Sequence, residues 1–356
     1  MLQFSLPAFA SSKGSEMYDQ YQMLRGVSRT FALSIEQLPQ PLRDAITIAY
    51  LLLRVSDILE DNEVMPAARK AELLRLWDCI LDERASVALL VDAVAELDGS
   101  DPEVYVAQCA HTVIEQLRGL PEPIQASIVG YVRQTSLGMA RWQEQGPLVA
   151  DEAELDDYMH QVAGIVGYLL TDIFAWYSPV IRERKAELMP LAREYGLALQ
   201  TVNVVRGLRK DYERGWVFVP RTFYNQVGLT HTTLFEPEHL PAAMRVVEML
   251  AFKAERHLAH GMTYITAFPR HQHRIRLACM WPLLFAVKTL AVSRNNSAVL
   301  LTEAKIGRAQ VAQIMRDTRL LGWSNAWLKC YYRALALPVN SIAPSASGLA
   351  STKSTV

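Results

Sequence analysis

The sequence predicts an all-α protein built as one domain, and three observations carry that prediction. Apolar residues recur at three- and four-residue spacing, as in Ala71-Glu-Leu-Leu-Arg-Leu-Trp77 and Met244-Arg-Val-Val-Glu-Met-Leu-Ala-Phe252, the period of a helix with one buried face. Alternating runs are scarce; the best strand candidate, Trp216-Val-Phe-Val-Pro220, is closed by a proline. Pro39, Pro41, Pro121, Pro123, Pro220, Pro237 and Pro241 stand where helices should connect, and no Pro/Gly/Ser-rich linker divides the middle of the 356 residues. Hydrophobic residues make up 51% of the chain, enough for a large core. The expected boundaries are a flexible stretch 1–16, a helical domain 17–337 and a disordered tail 338–356 that is rich in Ser, Ala and Thr.

Composition removes several function classes. A net charge of −1 gives no basis for nucleic-acid binding. Cys79, Cys109, Cys279 and Cys330 lack metal-ligand spacing, so reduced thiols are expected rather than disulfides or zinc. No uninterrupted apolar run reaches the ~18 to 20 residues of a membrane span, and no basic patch precedes an apolar N-terminal stretch. A cytoplasmic protein with at most peripheral membrane contact is the expectation. His257, His260, His271 and His273 lie among Arg256, Arg270, Arg274 and Arg276 and read as a solvated surface.

Chemistry enters at Tyr50-Leu-Leu-Leu-Arg54-Val-Ser-Asp57-Ile-Leu-Glu60-Asp61. On a helix Asp57 and Asp61 stand one turn apart on one face, and Arg54 and Tyr50 continue that face upstream. Stacked carboxylates repel, so a half-buried pair implies a cation between them. Oxygen ligands at this spacing suit Mg²⁺, held by one or two carboxylates plus substrate phosphates; a solvated helix end is the alternative. A second polar stripe, Gln200, Asn203, Gly207 and Asp211, crosses an apolar helix two-thirds along the chain. Asn203 and Asp211 are eight residues apart and share a face, ringed by Arg206, Arg209, Lys210 and Arg214. Such a set fits a Mg-diphosphate, with Arg–Asp pairing as the metal-free alternative.

These segments together resemble the squalene/phytoene synthase family, whose members join prenyl diphosphates. Val27-Ser28-Arg29-Thr-Phe31-Ala is similar to its N-terminal signature, and Asp57-Ile-Leu-Glu60-Asp61 to its first Asp-rich motif. Asp157-Tyr158-Met-His-Gln-Val162-Ala-Gly164-Ile-Val166-Gly167, Gln200-x-x-Asn203-x-x-Arg206 and the stretch from Lys305 to Asn325 are similar to later family segments. The resemblance implies a class I terpenoid synthase bundle with a central cavity, binding two or three Mg²⁺ ions with the diphosphate. It implies metal ligands Asp57, Asp61, Asn203 and Asp211, with Glu60 in a weaker role, and phosphate contacts from Ser28, Arg29, Arg54, Arg206 and Arg214. Tyr158, Arg54 and Tyr50 would be catalytic. Phe31, Val162, Gly164, Val166, Gly167 and Gln200 would line the prenyl tunnel, with helix–helix packing as the alternative for the glycines and valines.

The second motif departs from the family pattern. Where Asp-x-x-x-Asp with a preceding Glu is usual, this chain has Gly207, Lys210 and Asp211. One ligand is lost and one acid has become a base. The expected activity is therefore a single ionisation of a prenyl diphosphate, dimethylallyl to farnesyl in length, with transfer to a non-isoprenoid aromatic acceptor. Squalene-type coupling of two farnesyl diphosphates, which would need NADPH, is the alternative. Cyclisation and a non-catalytic isoprenoid-binding role rank below it.

Overall fold

The structure, a computed structural model, describes residues 19–337 and all of their side chains except that of Arg29. The expected flexible 1–16 stretch and the 338–356 tail lie outside the described residues, as does the Arg29 side chain.

Eighteen α-helices and one two-stranded ladder are present among the described residues. The N-terminal half comprises α1 (Gln20–Val27), α2 (Arg29–Ile35), α3 (Leu42–Asp61), α4 (Ala67–Leu81), α5 (Val87–Ala93), α6 (Pro102–Gln108), α7 (Ala110–Arg118) and α8 (Glu122–Gln145). The middle holds α9 (Glu152–Met159), α10 (Ile165–Tyr177), α11 (Pro179–Glu183), α12 (Lys185–Glu213) and α13 (Arg221–Gln226). The remainder is α14 (Leu240–Ala267), α15 (His273–Ser293), α16 (Ala298–Leu301), α17 (Arg308–Leu321) and α18 (Asn325–Ala336). The expected strand forms as β2 (Val217–Pro220), and its parallel partner is β1 (Leu148–Val149), which no alternating run marks.

Local chemistry fixes the elements that carry the site. α3 buries Leu42, Ala45, Ile46, Ala49, Leu52 and Leu59 at helical spacing. It stops at Asn62, whose side-chain oxygen accepts from the backbone of Val64 and Met65 at 3.0 and 2.8 Å. Ser28 caps α2 by accepting from Phe31 N at 3.2 Å. Asp151 caps α9 through Ala153 N and Glu154 N. Between α9 and α10 the chain makes a π-helical turn, His160–Gly164, of the kind that concentrates at functional sites. α12 runs through the middle, packed on α10, α14 and α15.

Two expectations change. α15 is long and apolar enough to cross a membrane by length and composition, although Arg274, Arg276 and Lys288 interrupt the run. Its most apolar stretch is 83% buried inside the protein, so it is a core helix. The histidines were read as solvated, but His257 is only 7% exposed. Its Nδ1 lies 2.6 Å from Glu194 on α12, and Lys253, one turn before it, meets Asp156 on α9 at 2.7 Å. The acids that pull these side chains inward sit on other helices, which local composition does not reveal.

Candidate active site

A cavity of about 610 Å³ opens between α2, α3, α12 and α15, acidic and basic at its mouth and apolar within. From α3 come Tyr50, Arg54, Asp57, Glu60 and Asp61, all on its lining. Arg54 donates to the Tyr50 hydroxyl at 2.7 Å and lies 3.5 Å from Asp57 and 3.7 Å from Glu103 of α6. α12 faces this wall with Gln200, Asn203, Arg206, Gly207, Lys210 and Asp211. Arg214, just past the end of α12, ties the two walls together: it donates to Asp61 at 2.9 Å and to Asp211 at 2.6 Å.

The electrostatics show stored strain among the acids. Burial pushes the Asp57 carboxyl up to about 6; Arg54 pulls it back, while Asp61 and Glu103 push it further. Glu60 is raised well above the usual carboxylate range by burial and by both neighbouring aspartates. Burial also raises Asp211, against the pull of Arg214. A divalent cation at the mouth would relieve this crowding. No group of three or more His, Cys, Asp or Glu among the described residues is arranged to hold a metal unaided. That donor set fits Mg²⁺ completed by substrate phosphates and water, with Asp57, Asp61, Asn203 and Asp211 as the protein oxygens. The side-chain Nε atoms of Arg54 and Arg214 are buried without a hydrogen-bond partner, which leaves donors for an anion, while that of Arg206 lies 3.5 Å from Glu303.

Tyr158 links the polar mouth to the apolar interior. It is 5% exposed and stacks on Phe218 of β2 at 4.2 Å, with Trp142 edge-on at 5.5 Å. Burial, followed by the charges of Glu60, Asp61 and Asp211, raises its hydroxyl well above the ordinary value, so it stays protonated at neutral pH. The π turn carries the helical face on from Tyr158 to Val162 and Val166, which line the cavity with Phe31.

The sequence profile of the Squalene/phytoene synthase family matches residues 24–313. The chain belongs to that family. It is 28% identical over 312 residues to the squalene synthase of Homo sapiens, covering 86% of this chain and 70% of that one. The solved complex of TcSQS with the ligand BPH1237 superposes with a TM-score of 0.75 at 25% identity, over 91% of this chain and 92% of that one. A dehydrosqualene synthase structure shares the fold, with a TM-score of 0.61 at 18% identity, over 88% of this chain and 95% of that one. The protein is thus a prenyltransferase-type enzyme of the squalene/phytoene synthase family, with that family's all-α fold.

On this squalene/phytoene synthase scaffold most of the sequence-derived site residues share the one cavity: Tyr50, Arg54, Asp57, Asp61, Tyr158, Val162, Val166, Gly167, Gln200, Asn203, Arg206, Asp211 and Arg214, together with Glu60 and Phe31. Two do not. Ser28 is absent from the lining, and its hydroxyl is used as the α2 cap. Gly164 faces protein: a Cβ there would lie 2.5 Å from His160 Nδ1 and 3.0 Å from Leu197 Cδ1, so close packing explains that glycine. Gly167 lines the cavity but also lets α10 approach α12, because a Cβ would stand 2.0 Å from the Ala192 carbonyl oxygen.

Sequence reasoning missed Phe218 and Glu303 on the cavity lining, and Glu103, which pairs with Arg54 from α6. Glu303 lines the mouth, 3.5 Å from Arg206 and 2.5 Å from Lys305. For Phe218 a signal existed, since it lies in the one predicted strand. Nothing local marks the two glutamates.

Proposed function

We propose that the enzyme ionises one allylic prenyl diphosphate, of dimethylallyl to farnesyl length, and transfers the prenyl group to a non-isoprenoid acceptor, an electron-rich aromatic ring. The observation that carries this reading is the second acidic helix. With Gly207 and Lys210 in place, α12 offers only Asp211 as a carboxylate at the cavity mouth, and Arg214 already pairs with it. The two walls are therefore unlike, and a site that ionises two diphosphates in turn needs both.

Cleavage of the C1–O bond leaves the electron pair on diphosphate and an allylic cation on carbon. Mg²⁺, when bound, supplies charge stabilisation to the leaving diphosphate. Arg54, Arg206 and Arg214 would hold phosphate oxygens at the mouth, the developing charge being what such preorganised donors stabilise best. The Tyr158 ring faces the interior, where an aromatic face stabilises a cation, and its hydroxyl remains available to relay a proton. Val162, Val166 and Phe31 would exclude water from the cation. The acceptor's ring carbon then bonds to C1 and releases its proton.

Squalene-type coupling is the second reading, favoured by the similarity to squalene synthases. Incubating the protein with Mg²⁺ and prenyl diphosphates of several lengths, with and without NADPH and aromatic acceptors, separates the two. Prenylated acceptor with stoichiometric diphosphate supports transfer. A C30 hydrocarbon from farnesyl diphosphate alone overturns it.

A further inference from the structure

We infer that a second chamber, beyond Glu60, Asp61 and Arg214, is the acceptor's binding site and takes a compact electron-rich aromatic ring bearing an N–H or O–H donor. This rests on the transfer reading above and adds where the acceptor sits and what it must carry. The chamber has a volume of about 460 Å³, and those three residues line both it and the main cavity, so it shares a wall with the reacting centre.

One of its buried polar side chains is unspent. The Gln143 amide is 4% exposed and makes no hydrogen bond among the described residues. Lys70, 9% exposed, has no ion pair within 4 Å but is held by the charges of Asp61 and Glu60. The Gln143 amide is open to the chamber, so a ligand with complementary groups can hydrogen-bond it there. The residues also specify charge. Glu60, Asp61, Glu63 and Glu213 outnumber the lining cations Lys70 and Arg214, although Glu213 already pairs with Arg209 at 2.7 Å, so the chamber disfavours a second diphosphate and accepts hydrogen from a donor.

The aromatic component is continuous. Trp216 lines the chamber and stacks on Phe218 at 5.3 Å, and Phe218 stacks on Tyr158 at 4.2 Å inside the main cavity. A flat ring laid along Trp216 would add an aromatic layer at the chamber end of that stack. The rim is held in shape by Gly146 and Gly215 at φ +104° and +83°, a backbone region that glycine adopts without strain. Val217 N donates to Pro147 O at 3.0 Å and pins the two turns together.

Indole and 1-methylindole are the probes, titrated by isothermal calorimetry and saturation-transfer NMR against wild type, Gln143→Leu and Lys70→Met. Indole should bind saturably, with 1-methylindole at least fivefold weaker. Either substitution should weaken indole at least tenfold, and Gln143→Leu should leave affinity for inorganic diphosphate with Mg²⁺ within twofold. The proposal is overturned if indole does not bind up to its solubility limit, if neither substitution weakens it, or if Val166→Trp, which fills the main cavity, abolishes it. Failure of the transfer reading looks different: C30 hydrocarbon from farnesyl diphosphate, whatever indole does.

Discussion

Gly207→Asp tests the feature on which the functional reading depends. A Cβ added at Gly207 lies 3.3 Å from Asp211 Oδ2, so the new carboxylate enters a space that Asp211 already faces. Two unit charges about 5 Å apart repel by about 3 kcal/mol at an effective dielectric constant near 20. Arg214, 2.6 Å from Asp211, and solvent at the mouth reduce that to about 1–2 kcal/mol. Replacing a helical glycine returns roughly 0.3–0.5 kcal/mol, leaving a net loss of about 1 kcal/mol. Unfolding entropy of roughly 2.1 cal/mol/K per residue puts this at about 1–2 °C in melting temperature for a chain of this size. Scanning fluorimetry on metal-free protein should show that drop, and Mg²⁺ with inorganic diphosphate should shrink it. Acceptor transfer should fall at least threefold, and no C30 product should form, because Lys210 still occupies the next position on the motif. A variant that melts higher without ligand, or that makes C30 hydrocarbon, would show that the glycine is a neutral replacement.

Asp57→Asn or Asp61→Asn should stop diphosphate release while the circular dichroism spectrum and melt remain native-like; turnover within about threefold of wild type, less than ~1 kcal/mol in barrier, removes them from the metal site. Asn203→Ala or Asp211→Ala should slow ionisation more than tenfold, about 1.4 kcal/mol, and weaken Mg²⁺ dependence. A crystal structure with Mg-diphosphate in which neither side chain lies roughly 2.0–2.1 Å from a metal contradicts that assignment. The last concerns pH. Burial alone would lower His257, but the Asp156 carboxylate 3.6 Å from its Nε2 and the Glu194 carboxylate that accepts from its Nδ1 outweigh it and raise it, with Lys253 opposing. A raised histidine stabilises fully below its unfolded value near 6.5 and loses that contribution as pH climbs through the folded value. Asp156 and Glu194 are lowered, so their contribution is present above the ordinary carboxylate range and lost as pH falls. Melting temperatures of wild type should therefore decline from pH 6 upward more steeply than those of His257→Gln; parallel curves would refute the coupling.

Much of the fold was legible because helix periodicity is local: the stripes of α3 and α12 can be counted along the chain. The acidic face of α3 was legible for the same reason, since Tyr50, Arg54, Asp57 and Asp61 share a face wherever that helix packs. What escaped depends on contacts between distant segments. Glu103 reaches Arg54 from α6, and Glu303 reaches Arg206 from a loop near the end of the chain, and neither contact follows from spacing. Gly164 and Gly167 are identical in sequence terms, yet only Gly167 borders the cavity, because the π turn between α9 and α10 sets which face turns inward. That turn has no local signature in the residues that make it.

The mouth of the cavity is asymmetric, and the asymmetry has a chemical consequence. The α3 wall presents Asp57, Glu60 and Asp61 against Arg54, while the α12 side presents Arg206, Lys210 and Arg214 against Asp211. A symmetric acidic pair would bind diphosphate equally well in two orientations. Carboxylates dominate the α3 side and cations the α12 side, so a Mg-diphosphate held by Asp57, Asp61, Asn203 and Asp211 would meet unlike walls, and one orientation of the leaving group would be favoured before chemistry begins. Arg214 alone contacts both walls, at Asp61 and Asp211, and its Nε is still unpartnered. It can therefore follow the charge from the ligand-free to the bound state without leaving a carboxylate buried and unpaired, which would cost several kcal/mol. Under the proposed transfer, Gly207 and Lys210 would make this a one-sided site that releases diphosphate once, for a partner molecule that carries no diphosphate of its own.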